Sequence, residues 1–138
     1  MRELKFRFWN KIAQRFQPAS KYAIDGKGDL VAYDYEMRAY DDAAPFSRTC
    51  IVAQQYTGLK DKNGVEIYEG DFVEIIYGEN LVGEVYFQSN MGTFRVKCND
   101  ENSYPLVTYN IEANKLINVV EKVIGNIYEP PELVEQIV

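Results

Sequence analysis

The strongest constraint on the fold is the run from Asp71 to Cys98, where short alternating stretches are separated by tight turns. Phe72 to Tyr77, Leu81 to Phe87 and Thr93 to Cys98 read as three strands. Gly78-Glu79-Asn80 and the stretch Gln88 to Gly92 supply the reversals between them. A period of two places successive side chains on opposite faces, so these segments predict an antiparallel meander rather than helices. Three strands sharing an apolar face are near the minimum that is stable in water.

The same period recurs outside the meander. Leu4, Phe6 and Phe8 alternate with Lys5, Arg7 and Trp9, a strand with one apolar and one basic face. Arg15 to Ile24 reads as a second strand, Asp25-Gly26-Lys27-Gly28 as a turn, and Leu30 to Tyr35 as a third strand. Residues 36–48 read as a loop with a short helix beside it, and Cys50 to Tyr56 returns to strand. Lys60-Asp61-Lys62-Asn63-Gly64 is a tight turn in which Asn63-Gly64 supplies the positive-φ positions. Val119 to Tyr128 is a further strand interrupted by Gly125, and Pro131 suits the first turn of a short helix reaching Val138. The 138 residues fit one domain, 1–138, large enough to bury a core without disulfides.

The chain contains no histidine. That removes the commonest general base, the Ser-His-Asp and Cys-His arrangements, and the commonest transition-metal ligand. Cys50 and Cys98 are the only cysteines, too few for a structural zinc site within one chain and consistent with reduced thiols in a cytoplasm. No cofactor or metal is expected. No uninterrupted apolar run exceeds four residues, as at Leu30 to Tyr33, whereas a spanning helix needs about 20. With no signal-peptide core at the N-terminus, a cytoplasmic protein without membrane contact is expected.

Several groups carry candidate chemistry. The basic strand residues Lys5, Arg7 and Trp9 are candidates for neutralising and stacking on single-stranded nucleic acid. Residues 1–22 hold six bases against one acid, a net of +5, while the remainder holds nine bases against twenty acids, a net of −11. One basic strand in an acidic protein is a small footprint, so a solvated strand face is the simpler reading. Asp34, Glu36, Asp41 and Asp42 form an acidic group with the oxygen chemistry for Mg²⁺ or acid/base work, although surface carboxylates are ordinary. Asp61-Lys62-Asn63 opens like a calcium loop, but the twelfth position falls on Phe72 instead of a glutamate, so the turn reading prevails. The corner Tyr56-Thr57-Gly58-Leu59 follows a strand and precedes that turn. Gly58 is expected at positive φ with Tyr56 in the core, while Thr57, Lys60 and Asp61 are candidates for presentation to a partner.

Three segments resemble the YopX family of phage and prophage proteins. They are Arg2 to Trp9 at the N-terminus, Gln55 to Asp71 in the centre, and Val123 to Glu129 with Pro131-Glu132-Leu133 near the end. The central run, Gln-Tyr-Thr-Gly-Leu-Lys-Asp-Lys-Asn-Gly-Val-Glu-Ile-Tyr-Glu-Gly-Asp, is the most specific. Departures are small: Asn10 where the family has Asp, Pro130 where it has Asn, and Phe8 where a smaller residue is usual. The resemblance implies a mainly-β, single-domain antiparallel barrel-like fold, a pseudo-barrel with a bifurcated sheet, and a mobile-element origin. It supplies no reaction.

The expected function is therefore a non-enzymatic protein-binding module acting on a host or phage protein. The alternatives are a nucleic-acid-binding accessory protein using the basic strand and a Mg²⁺-dependent carboxylate enzyme built on residues 34–42. Strand edges and a surplus of tyrosine (11 residues) add self-association as a homo-oligomer to the expected partners.

Overall fold

A computed structural model of the chain describes residues 3–32 and 50–130. Among the described residues the fold is mainly β. Among the described residues, helical backbone is confined to the 3-10 turn Ala19–Lys21 and to Cys50. The short helix expected over 131–138 lies outside the described residues, as do the acidic group 34–42 and the loop expected over 36–48. The described residues group into two compact units, one within Leu4–Gln55 and one within Tyr56–Val138 that also takes in Glu3.

In the first unit, β1 (Phe6–Asn10) pairs antiparallel with β2 (Arg15–Gln17). The reversal is built around Asn10, only 2% exposed, whose Oδ1 accepts the backbone N–H groups of Ile12 (2.8 Å) and Ala13 (2.9 Å). The single strand expected over Arg15 to Ile24 is instead broken at Pro18, which lacks the N–H to continue a ladder and opens the 3-10 turn. β3 (Tyr22–Ile24) and β4 (Leu30–Ala32) then form a hairpin, closed by Asp25 Oδ1 accepting from Lys27 and Asp29. Phe8, Tyr22 and Ile51 make the small core, with the Phe8 and Tyr22 rings 5.0 Å apart.

β5 (Ile51–Lys60) is longer than the strand expected over Cys50 to Tyr56. Its residues 51–55 pair with β1, and Tyr56 and Lys60 pair with Tyr68 and Glu66 of β6 (Glu66–Tyr68) in the second unit. That unit is organised by a curled five-stranded sheet of order β10-β9-β8-β7-β13. β7 (Asp71–Tyr77), β8 (Glu79–Gln88) and β9 (Thr93–Cys98) are the expected meander. β10 (Ser103–Pro105) and β13 (Val120–Asn126) flank it. Two register shifts between β13 and β7, one of them ending at Gly125, are bulges that increase the twist of the sheet. β11 (Val107–Asn110) and β12 (Lys115–Asn118) form a separate hairpin.

The core of this unit contains Ile67, Val73, Ile75, Leu81, Val85, Val96, Cys98, Leu106, Val119 and Val120. Gly83 faces it with no room for a side chain: a Cβ there would stand 2.3 Å from the carbonyl oxygen of Lys97 on β9. Here glycine is what allows β8 and β9 to approach.

Candidate interaction site

The central segment from Tyr56 to Asp71 holds the second unit together. Tyr56 is 4% exposed, its ring 5.5 Å from that of Tyr68. The Thr57 hydroxyl donates to the Ile67 carbonyl (2.8 Å) and accepts from the Leu59 N–H (3.2 Å). Gly58 has φ of +89°, as expected, and a Cβ there would meet nothing within 4 Å.

Asp61 is buried, and its carboxylate is fully employed. Oδ1 accepts from Asn63 (2.8 Å) and Val65 (2.9 Å), closing the turn, and Oδ2 accepts from Val123 on β13 (2.9 Å). Burial pushes the carboxyl pKa up, and the backbone N–H groups of Val123, Val65, Asn63 and Gly64 outweigh it, holding Asp61 below the ordinary carboxylate value. Further bonds tie the same two segments. Asn118 Nδ2 donates to the Lys60 carbonyl (2.6 Å), the Lys62 N–H to the Glu121 carbonyl (3.2 Å), and the Ile127 N–H to the Gly70 carbonyl (2.9 Å). Asp71, 1% exposed, accepts from the Tyr68 N–H (2.8 Å). The central and C-terminal segments thus form one clasp, joined by backbone groups and buried polar side chains.

Of the candidate partner residues, Tyr56, expected in the core, is buried, as is Asp61, while Gly58 and Lys60 are exposed and half-buried Thr57 lines a pocket. The basic strand is partly covered. Trp9 is only 2% exposed and packs edge-on against Phe16, with centroids 4.9 Å apart, so its ring is not presented for a base to stack on. The Arg7 guanidinium lies 4.7 Å over the same Phe16 ring, and its Nε donates to buried Gln54 (2.7 Å). Lys5 is half-buried. The alternation placed Trp9 on a solvated face, but Phe8, Trp9 and Asn10 are buried in succession, so both faces of β1 are covered there.

Among the described residues, a surface with room for a partner side chain lies elsewhere in the second unit. A pocket of about 170 Å³ is lined by Thr57, Leu59, Thr93, Phe94, Arg95, Pro105, Leu106 and Val107. Its walls are mainly apolar, with Arg95 as the charged group. That guanidinium donates to Ser103 twice, from Nε to Oγ (2.9 Å) and from Nη2 to the carbonyl (3.0 Å). Two of its five N–H donors are used in this way, and among the described residues no carboxylate pairs with it.

Apolar side chains extend from this pocket. The Phe94 ring packs at 5.1 Å against Phe87, itself 47% exposed, and Met91 in the same hairpin is 60% exposed. Val107 opens the β11–β12 hairpin, where Tyr109 (53%), Ile111 (85%) and Leu116 (68%) are all exposed. Arg95 and Phe94 sit in a strand legible from the sequence. Pro105, Leu106 and Val107 were not, because residues 99–118 hold only strands of three and four residues, too short to show alternation.

Among the described residues no group of three or more His, Cys, Asp or Glu side chains is placed to hold a metal ion. Neither Cys50 nor Cys98 forms a disulfide, and burial followed by the nearby Asp100 charge pushes the Cys98 thiol up to about 11. Among the described residues no helix is long and apolar enough to cross a membrane.

Comparison with family models matches the chain over residues 5–135 to the family described as YopX protein. Comparison with curated proteins gave no match.

Proposed function

The chain belongs to the YopX family, and from that premise we propose that it is a non-enzymatic protein-binding module, an accessory protein of a phage or prophage that acts on a protein partner in the host cytoplasm. The observation that carries this reading is the pocket between Thr57 and Val107. At about 170 Å³ it is comparable to a cavity of about 150 Å³ that accepts one benzene-sized group. It falls below the roughly 300–1,000 Å³ usual for small-molecule sites. A single apolar side chain is therefore the fitting occupant, with Phe87 and Met91 widening the contact and Arg95 reading an acidic neighbour.

The nucleic-acid alternative loses its stacking ring to burial and has Arg7 already engaged with Gln54 and Phe16. The test is Thr93→Trp, placed at an exposed position on the pocket lining so that it blocks the cavity without entering the core. Partner capture from host cells should fall at least about tenfold, the loss of one buried anchor. Undiminished capture, or salt-sensitive binding to single-stranded DNA or RNA by the wild type, overturns the proposal.

A further inference from the structure

The chain itself carries a group of the kind this pocket accepts. Ile111 is 85% exposed at the apex of the β11–β12 hairpin and is followed directly by exposed Glu112, an aliphatic side chain beside a carboxylate. The apex is ordered by its own bonds. Asn110 Oδ1 accepts from Ala113 (2.8 Å), the Ile111 carbonyl accepts from Asn114 (3.3 Å), and the Tyr109 hydroxyl donates to Asn114 Oδ1. Little conformational freedom remains to be lost on docking. Tyr109 and Leu116 face each other across the strands, so the tip, rather than one residue, is apolar.

We propose that the pocket of one copy takes the β11–β12 tip of a second copy, with Ile111 against Leu59, Phe94 and Leu106 and with Glu112 paired to Arg95. This rests on the reading that the pocket accepts a protein side chain, and it names that side chain. Geometry favours reciprocal exchange. Val107, in the pocket wall, opens β11 and Ile111, at the tip, directly follows its last residue, so the two lie within about 14 Å of each other at the usual rise per residue. A surface carrying both halves of a contact side by side is what a two-fold dimer requires. Lys115 at the start of β12 is the cation nearest in sequence to Glu112, and charge exchange between Arg95 and Glu112 tests which cation this carboxylate pairs with.

The experiment is sedimentation velocity on the full chain from about 1 to 100 µM, a range that captures weak dimers. A monomer–dimer equilibrium is expected. Ile111→Glu, at a solvated position that leaves the melting temperature unchanged, should weaken it by at least about tenfold through loss of one buried aliphatic group. Arg95→Glu and Glu112→Arg should each weaken it, and the two together should restore it. Thr93→Trp should also abolish it. A wild-type monomer at 100 µM overturns the self-docking. If Thr93→Trp still lowers partner capture in that case, the pocket reading survives. A dimer that Ile111→Glu leaves intact, or a charge-exchanged pair that fails to restore association, overturns it as well. A dimer broken by Ile111→Glu but untouched by Thr93→Trp puts the tip somewhere other than this pocket.

Discussion

Replacing Asp61 by Asn removes one charge and keeps the shape, so its cost can be worked from the bonds. The wild-type carboxylate accepts from Asn63, Val65 and Val123 at 2.8–2.9 Å. An amide retains one acceptor oxygen. If that oxygen stays on the turn, the Asn nitrogen faces the Val123 N–H, donor against donor, and a buried backbone group loses its partner. A hydrogen bond to a charged group contributes about 1.5–3 kcal/mol, and the two surviving bonds weaken when their acceptor becomes neutral. The expected loss is about 3 kcal/mol at pH 7, or about 9–15 °C in melting temperature for a chain of this size.

The effect has a definite pH dependence. Because the folded-state pKa of Asp61 lies below its ordinary value, the stabilisation is fully present above the unfolded pKa, near 4, and is lost as pH falls through the folded value. Thermal melts followed by circular dichroism should therefore show a wide gap between wild type and Asp61→Asn at pH 7 that narrows below about pH 4. Equal melting temperatures at pH 7, or a gap that does not change between pH 7 and pH 3, would refute the assignment of Asp61 as a charged clasp.

Gly58→Ala should cost about 1–2 kcal/mol, all of it from the +89° backbone since the new Cβ meets no atom. Gly58→Asn should cost less in the same melt, because Asn tolerates positive φ, and an ordering of Ala above Asn contradicts this. Gly83→Ala should be far worse, more than about 3 kcal/mol, because its Cβ would overlap the Lys97 backbone on the paired strand; wild-type solubility and melting would count against that packing. Cys98, with its thiol near 11, should react with a disulfide reagent at pH 8 only after denaturant is added, and prompt labelling of the native protein at that residue would contradict its burial.

The meander β7–β9 was legible because its strands are long enough for period two to show and its turns are marked by glycine. Gly58 and Tyr56 were also legible, since a glycine at the end of a strand pattern commonly answers a geometric need. Trp9 was not. Alternation reports which side chains share a face, and it cannot reveal that the second face of β1 is covered as well. Asp61 looked like part of an ordinary surface turn because its deciding partner, Val123, is 62 residues away. The pocket is not legible in the sequence for the same reason: Thr57, Arg95 and Val107 come together through strand pairing and carry no shared local pattern. The described parts of the central and last family segments are clasped to each other, Asp61 to Val123 and Gly70 to Ile127.

The most direct test of the account is photocrosslinking from the pocket. A benzophenone side chain at position 94, compared with one at exposed Lys27 in the other unit, should be activated in cells that naturally produce the protein. Discrete protein adducts, a second copy of the chain among them, are expected from position 94 and none from position 27. Adducts of equal yield at both positions, or nucleic acid as the dominant species recovered from position 94, would contradict it.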